Sequence, residues 1–394
     1  MYYLDEIAVD NFRCYDKYSV KLTPFINIIE GINAIGKTSL LEAVYFLGLC
    51  KSFRTNDDKD MLKEGKNEFY IKGTLIDEKN DFKIVASFSQ VGKKISVNGK
   101  TYRTLSDYIG FLQVVCFSPD DLKLIKGEPR IKRKFLDVYI GQTDKLYLKT
   151  LVDYNKILRE RNELLKNPDS YPQFNALITV YTNELAKLGA IIINKRRDFL
   201  NLLEPFVSKK LSLISSNKEN VEIRYVPNVS ETQIEQQMLD SIEIDKKAKT
   251  TTVGPHRDDI MFLLNGLNAG IYGSQGQKRS IALAVKLGLA DYMKQETNKI
   301  IVILDDVFGE LDQTRQNMLI SAVDDSTQVI ITTISTSEIN KEIIEKSNLI
   351  KIEKKVTQNG WWRKECSIWE WGSYFRNQSA KEKSRRCREK VWWF

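Results

Sequence analysis

Histidine is almost missing from this chain, because His256 is the one histidine among 394 residues. A single imidazole excludes a metal centre built from several histidines. Cysteine is also scarce, and its five occurrences lack the close spacing of metal ligands. We interpret them as free thiols: Cys14, Cys50, Cys116, Cys366 and Cys387.

Long apolar runs are missing as well, since none approaches the ~18 apolar residues of a membrane span. The first ten residues carry acids where a signal peptide needs basic residues and then an apolar core. We therefore expect a cytoplasmic protein without a membrane partner. The composition, 42% hydrophobic and 28% charged, is that of an ordinary soluble protein with two or three domains.

A strong basic balance is missing from most of the chain, although the net charge is +8. Residues 357–394 hold nine Lys/Arg and four Asp/Glu, so residues 1–356 carry only +3. Composition by itself therefore gives weak support for nucleic-acid binding.

A phosphate-binding pattern, G-x-x-x-x-G-K-[ST], is present at every fixed position from Gly31 to Thr38. The apolar run 26–29 before it predicts a buried strand, and apolar residues from Leu40 onward recur at helical spacing. Loop amides and the helix N-terminus would converge on one anion. Lys37 would reach the β- and γ-phosphates of ATP, and Thr38 would ligate Mg²⁺. The predicted nucleotide-binding residues of this loop are Gly31, Asn33, Gly36, Lys37, Thr38 and Ser39.

A second apolar strand, residues 300–304, ends in Asp305 and Asp306. Acids at the carboxyl end of a buried parallel strand lie where such sheets bind ligands. Asp305 is predicted to hold Mg²⁺ through water. Asp306 is predicted to orient or deprotonate the attacking water, so the predicted catalytic residues are Lys37, Asp305 and Asp306.

Ser274, Gly276 and Gln277 open a predicted helix that runs through Met293. This Ser-x-Gly-Gln segment is a second anion-binding helix N-terminus, and one γ-phosphate does not need two from the same chain. Arg13, at the end of a predicted first strand, could face the nucleotide or be an ordinary surface arginine. We include it among the nucleotide-binding candidates.

The remaining pattern predicts short strands at 4–9, 19–22, 112–117 and 329–333 and an antiparallel sheet over 68–103. Asn98-Gly99 favours a two-residue hairpin turn within that sheet. Residues 144–206 read as long helices interrupted at Pro168 and Pro172. Residues 217–250 are polar and mixed. A basic cluster lies at Arg130–Lys134, which is usually only a solvated helix face.

Several motifs together resemble the RecF family of bacterial recombination-mediator ATPases, which are related to SMC heads. They are the phosphate loop followed by Leu41-Glu42-Ala43, Ser52–Thr55, Phe117–Leu122, Lys126–Asp137, Gly254–Asp259, Ser274–Gln277 and Leu304–Val307. The resemblance implies an α/β fold, an ABC-type ATPase head (P-loop NTPase) with an inserted, mainly helical arm. The head would be residues 1–142 and 246–356, and the arm 143–245.

The resemblance also implies a function, namely repair of replication gaps within the SOS response to DNA damage. The chain would form an ATP-dependent homodimer around two nucleotides, with each Ser274 loop covering the other chain's site. It would bind double-stranded DNA and single strands near gaps, work with RecR and RecO, and help indirectly to load RecA. Hydrolysis would be slow, and the protein would be associated with the nucleoid.

Ala34 departs from the family pattern, because family loops usually carry glycine there. A non-glycine residue must avoid positive φ or accept strain, which bears on nucleotide affinity and turnover.

Three other functions remain as alternatives: an SMC-like structural ATPase with a short arm, a nuclease or motor, and a small-molecule kinase. No metal-ligand cluster supports a nuclease, and a kinase needs no Ser-x-Gly-Gln loop.

Residues 357–394 contain all six tryptophans, interleaved with Lys and Arg. Such a tail could stack on bases and pair with phosphates. Because it has no period and no capping signals, we favour a non-native or unfolded extension.

Overall fold

The computed structural model describes residues 2–78, 80–297, 299–310, 316 and 327–353. The described residues form fourteen strands: β1 (Tyr2–Phe12), β2 (Tyr15–Lys21), β3 (Ile26–Glu30), β4 (Phe69–Asp77), β5 (Asn80–Ser89), β6 (Gly92–Val97), β7 (Lys100–Thr101), β8 (Gln113–Phe117), β9 (Val221–Val226), β10 (Asp259–Leu264), β11 (Leu267–Asn268), β12 (Ile300–Asp305), β13 (Gln328–Thr333) and β14 (Ser347–Lys351). The predicted tail 357–394 and Leu311–Arg315 lie outside the described residues.

The helices of the same described ranges are α1 (Lys37–Leu49), α2 (Leu105–Tyr108), α3 (Leu122–Lys126), α4 (Pro129–Thr143), α5 (Lys145–Lys166), α6 (Phe174–Ile214), α7 (Ile234–Asp240), α8 (Ile242–Ala248), α9 (Ala269–Tyr272), α10 (Gln275–Thr297) and α11 (Lys341–Glu345).

A parallel sheet in the order β14-β3-β13-β12-β8 supports the predicted nucleotide site. All residues of β8, β12 and β13 are buried, as expected for strands covered on both faces. The strands predicted at 26–29, 112–117, 300–304 and 329–333 are confirmed. The parallel direction brings the ends of β3 and β12 to one edge of the sheet.

An antiparallel sheet in the order β2-β1-β4-β5-β6-β7 contains the predicted strands of residues 4–22 and 68–103. Its strands alternate between buried and partly exposed residues, as in β4. Val97 pairs with Lys100, and the two residues between them, Asn98 and Gly99, have φ of 48° and 79°. Two positive φ values are those of a type I′ turn, so the predicted hairpin is confirmed.

Helices α5 and α6 lie on either side of Pro168 and Pro172, where the sequence predicts a break. α6 packs against both α5 and α10. The polar stretch 217–250 contains β9, α7 and α8. The sequence predicts no element there. β9 pairs antiparallel with β10, so the predicted boundary at residue 245 falls between two strands of one sheet. The domain boundaries stay a prediction.

By length and composition alone, α6 could span a membrane, although no membrane span was expected from the sequence. The buried residues of α6 include Leu185, Ile192 and Leu203, which give it one apolar side. Because α6 packs on two other helices, we interpret it as a core helix.

Candidate nucleotide-binding site

The phosphate loop joins the end of β3 to the start of α1 at Lys37. Gly36 has φ of 112°, and a Cβ built there would lie 2.5 Å from the Tyr15 hydroxyl and 2.7 Å from Cys14 Sγ. Both the backbone conformation and the space therefore require glycine. The turn between β1 and β2 packs directly on the loop. Ser39 is buried and lies near the Cys14 thiol, whereas Asn33 is exposed.

Lys37 is buried, and within the described part of the chain its hydrogen bonds go to two neutral carbonyl groups of its own loop. Its Nζ donates to the carbonyl oxygens of Gly31 at 2.6 Å and Ile32 at 3.1 Å. Burial lowers the pKa of Lys37, while Asp306 and Asp305 act in the opposite direction. Lys37 therefore lies near Asp305 and Asp306, and the catalytic roles of the three residues stay predictions. A phosphate would supply the negative charge that the loop carbonyls do not.

Thr38 and Asp305, 267 residues apart in sequence, meet at the edge of the parallel sheet. Thr38 Oγ1 donates to Asp305 Oδ1 at 2.8 Å, and Thr332 Oγ1 donates to the same oxygen at 3.0 Å. Burial raises the pKa of Asp305, and the bonds from Thr38 and Thr332 lower it. One hydroxyl and one carboxylate fit a Mg²⁺ site that is completed by waters and phosphates.

Asp306 follows β12 in a left-handed conformation, with φ of 52°. Its backbone N–H donates to Thr332 Oγ1 at 3.0 Å, so Thr332 holds both acids. Sequence reasoning missed Thr332. Its one signal is its place at the end of β13, where the register pairs it with Asp305.

Arg13 bonds to Glu42 on α1. Its Nε donates to Glu42 Oε2 at 2.7 Å, and its side chain is 18% exposed. The carboxylate of Glu42 is fully buried and also accepts from Ser52 and, at 3.5 Å, from Arg54. Arg54 is near enough to Asp305 to lower its pKa. The structure therefore places Arg13 beside α1, and its contact with a nucleotide stays a prediction. Glu42, Ser52 and Arg54 were recognised only as motif residues.

Ser274 and Gln277 form a reciprocal cap at the start of α10. The Gln277 N–H donates to Ser274 Oγ at 3.2 Å, and the Ser274 N–H donates to Gln277 Oε1 at 2.9 Å. Ser274 and Gly276 are exposed, and only Ser274 Oγ, at 4.0 Å, lies within 4 Å of a Cβ built on Gly276. Among the described residues, the helix start at Ser274 and Gly276 is therefore uncovered.

The start of α10 lies at the β8 side of the parallel sheet. Arg279, in its second turn, lines a small cavity together with Ser118 after β8 and Val307 after β12. The phosphate loop follows β3, which is three strands from β8. At about 4.8 Å per strand the two ends are separated by about 14 Å. The Ser274 loop therefore lies to one side of its own phosphate loop.

The Gly254–Asp259 segment, the most specific motif of the family resemblance, belongs to a buried polar network. Arg196 of α6 donates to Asp258 Oδ2 at 3.1 Å, to the Pro255 carbonyl at 2.7 Å and to Asp137 Oδ1 at 2.7 Å. Tyr225 on β9 also bonds to Asp258. The segment thus joins α4 and α6 to the strand pair β9–β10.

A family model described as the RecF/RecN/SMC N terminal domain matches residues 3–358. The DNA replication and repair protein RecF of Ligilactobacillus salivarius is 37% identical over 369 residues, covering 90% of this chain and 97% of the relative. The protein of the same name from Streptococcus suis is 38% identical over 366 residues, covering 91% and 100%.

Solved structures agree with these relatives. The recombination mediator protein RecF-ATP in the RecFOR pathway has a TM-score of 0.80 at 35% identity, covering 86% of this chain and 94% of that one. The RecF-ATPrS structure has a TM-score of 0.79 at 36% identity with the same coverage. A Pyrococcus furiosus Smc head is similar in fold alone, at 14% identity and a TM-score of 0.50. The chain therefore belongs to the RecF family and has the α/β fold of its ABC-type ATPase heads.

Proposed function

We propose that this chain is an ATP-dependent DNA-binding protein of recombinational repair and replication-gap repair. Its RecF relatives are named for DNA replication and repair, and the similar solved structures hold ATP or ATPrS and belong to the RecFOR pathway. In this proposal RecO and RecR are its partners, and loading of RecA is the indirect result. The protein would work in the cytoplasm, at the nucleoid.

The proposal depends on one observation: the phosphate-loop residues and the Ser274 helix start lie at separate places on the same chain. Lys37, Thr38 and Asp305 converge within one chain. Ser274 and Gly276 form an exposed helix N-terminus about three strands away. A head-to-tail homodimer would place this N-terminus over the partner's nucleotide, and ATP would then link the two chains.

Hydrolysis in this proposal uses residues of both chains. Lys37 binds the β- and γ-phosphates, and Thr38 and Asp305 hold the metal. Bound Mg²⁺ would offset phosphate charge in the transition state. Asp306 orients the attacking water or takes its proton. We propose that turnover is slow, is stimulated by DNA and resets the dimer, so that hydrolysis is a switch without chemistry on DNA.

The test combines Ser274→Arg with Lys37→Ala. The Ser274→Arg monomer should bind ATP nearly normally, because its phosphate loop and Asp305 are unchanged. It should neither dimerise nor hydrolyse ATP, since the arginine would occupy the position of the partner's phosphate. The Lys37→Ala chain should lose ATP binding, because the phosphates lose their cation.

Mixing the two variants should restore at most one composite site per dimer. That site would join the phosphate loop of the Ser274→Arg chain to the intact Ser274 of the other chain. Sedimentation with and without ATP gives the dimer, and turnover of each variant and of the mixture gives the activity. If Ser274→Arg dimerises and hydrolyses ATP like the wild type, the two-chain site is wrong.

A further inference from the structure

The segment that leads into α4 and the first turns of this helix are rich in positive charge. Between residues 122 and 136 the sequence holds six cations and one acid, Glu128. The first turn of α4 contains no acid, and the Glu128 side chain makes no capping bond. A helix N-terminus is the positive end of the helix dipole, so cations there repel it unless an anion is bound.

Three of these cations have partners in the fold, and one of them, Lys123, pairs with Asp120 at 2.7 Å on the surface. Lys132 pairs with Asp259 at 3.1 Å, and Arg133 donates to the Asp258 carbonyl at 2.6 Å. Both contacts face β10 and explain these two residues without a ligand.

Arg130 and Lys134 do not take part in these contacts with β10. Arg130 is exposed and has no acidic partner among the described residues, and Lys134 bonds to the neutral Asn56 Oδ1 at 3.1 Å. Arg130 and Lys134 are four residues apart, so they lie on one side of the helix. Burial lowers the pKa of Lys134, and Arg130 lowers it further. Burial and then Lys134 lower the pKa of Lys51 to about 7. These cations repel one another.

The chemistry of this group favours nucleic-acid phosphates. Arg, Lys and Asn side chains together with a helix N-terminus are the usual donors to phosphate oxygens in protein–DNA contacts. The neighbouring aromatic ring in α4, Phe135, is buried and cannot stack on bases. Without a ring to stack on bases, we expect the group to contact the phosphate backbone. Asn56 also lies two residues after Arg54, which bonds together with Ser52 to Glu42 of α1.

We propose that Arg130, Lys134 and Asn56 form a contact site for the DNA sugar–phosphate backbone, next to the nucleotide site. This inference rests on the proposed DNA binding and adds its location. Removing Arg130 and Lys134 should weaken duplex binding equally for unrelated sequences.

The test compares the double variant Arg130→Gln/Lys134→Gln with a control of equal charge change, Lys149→Gln/Lys156→Gln. Both control lysines are exposed on α5. Duplex affinity is measured with ATP across a range of salt concentrations. Because log K falls as log[salt] rises, the loss of two phosphate contacts should make this slope shallower by about 2. Binding at moderate salt should be roughly tenfold weaker. The control should keep the wild-type slope, and Lys134→Arg should keep it too.

Folding and nucleotide binding are followed in the same proteins. The Arg130/Lys134 variant should bind ATP normally, and its Tm should be equal to or above that of the wild type, because like charges have been removed. If its slope equals that of the wild type, the site is not a DNA contact. An unchanged slope with loss of ATP-dependent dimer mass would assign the group to a protein contact and overturn the inference. If the wild type itself does not bind duplex DNA with ATP, the proposed function fails as well.

Discussion

Two residues of the nucleotide site have left-handed backbones although neither is glycine. Ala34 has φ of 63° and Asp306 has φ of 52°. The left-handed conformation costs an L-residue roughly 1–2 kcal/mol, less where a short polar side chain can bond locally. Alanine has no such compensation. The sequence leaves two possibilities for a non-glycine residue at position 34, namely a φ that is not positive or a strained backbone. The structure shows the strained backbone.

Ala34→Gly should therefore raise the free energy of unfolding, by about 1 kcal/mol after the greater freedom of glycine in the unfolded chain is subtracted. ATP affinity should be equal or higher, because the loop is held in the same conformation with less strain. Ala176→Gly, on the exposed side of α6, is the matched control and should lower stability by about 1 kcal/mol. Denaturant unfolding and nucleotide titration check both. Equal destabilisation by the two substitutions would show that Ala34 is not strained.

The fold opposes protonation of His256. Its Nε2 bonds to the Thr251 carbonyl at 3.0 Å and must donate, so Nδ1 accepts from the Tyr154 hydroxyl at 2.7 Å. This is the neutral ring. Burial lowers its pKa from 6.5 to about 4.

The pH dependence follows from that lowered pKa. Between pH 6.5 and 4 the unfolded chain binds a proton at His256 that the folded chain does not. The stability that comes from the neutral ring is therefore complete above pH 6.5 and is lost as pH falls towards 4, by at most about 3 kcal/mol. Unfolding of the wild type and of His256→Gln across this range measures the difference. Parallel curves for the two proteins would contradict the assignment.

Among the elements, α4, α6 and β10 are joined by one buried charge, the guanidinium of Arg196. Arg196→Met would leave Asp137 and Asp258 buried without their cation, which typically costs about 3–5 kcal/mol. The neighbouring Arg197 bonds to Glu231 on the surface, with its side chain 35% exposed. Arg197→Met should therefore cost less than about 1 kcal/mol. Similar losses of unfolding free energy for the two variants would show that the network does not hold these elements together.

Elements with a strong local signal could be predicted from the sequence, and the others could not. The apolar runs that became β12 and β13, and the Asn98-Gly99 turn, carry their structure in a few adjacent residues. β9 is six residues long within a polar stretch, and its partner β10 begins more than thirty residues later. Its pairing therefore depends on tertiary structure. α6 continues through Pro205, although proline usually interrupts a helix.

In the nucleotide site, too, some residues could be predicted from the sequence and others could not. Lys37, Thr38 and Asp305 follow from loop and strand patterns, and the structure brings them together. Thr332 and the bond from Arg13 to Glu42 depend on strand register and on packing of the β1–β2 turn. No short pattern encodes such contacts.

At the scale of the whole molecule, the net charge of the predicted arm does not favour DNA binding. Residues 143–245 hold 14 cations and 15 acids. A surface with no net positive charge gains little from the release of counterions. The head, with the cations at the start of α4, is therefore the better source of DNA affinity.

The contribution of the C-terminal tail to DNA binding can be tested by removing it. The family model ends at residue 358, and the 34 residues after Gly360 carry nine Lys/Arg, four Asp/Glu and all six tryptophans. Ending the chain at Gly360 should leave ATP-driven dimerisation intact, because Lys37, Asp305 and Ser274 all remain. DNA affinity should fall modestly if at all, and the salt slope should stay within about one unit, since we expect no phosphate contact from a tail whose sequence shows no period and no capping signals. Sedimentation with ATP and duplex titration at several salt concentrations, on the full and the shortened chain, measure both. If the slope of the shortened chain is shallower by several units, the tail contacts phosphates and its tryptophans belong to a nucleic-acid surface.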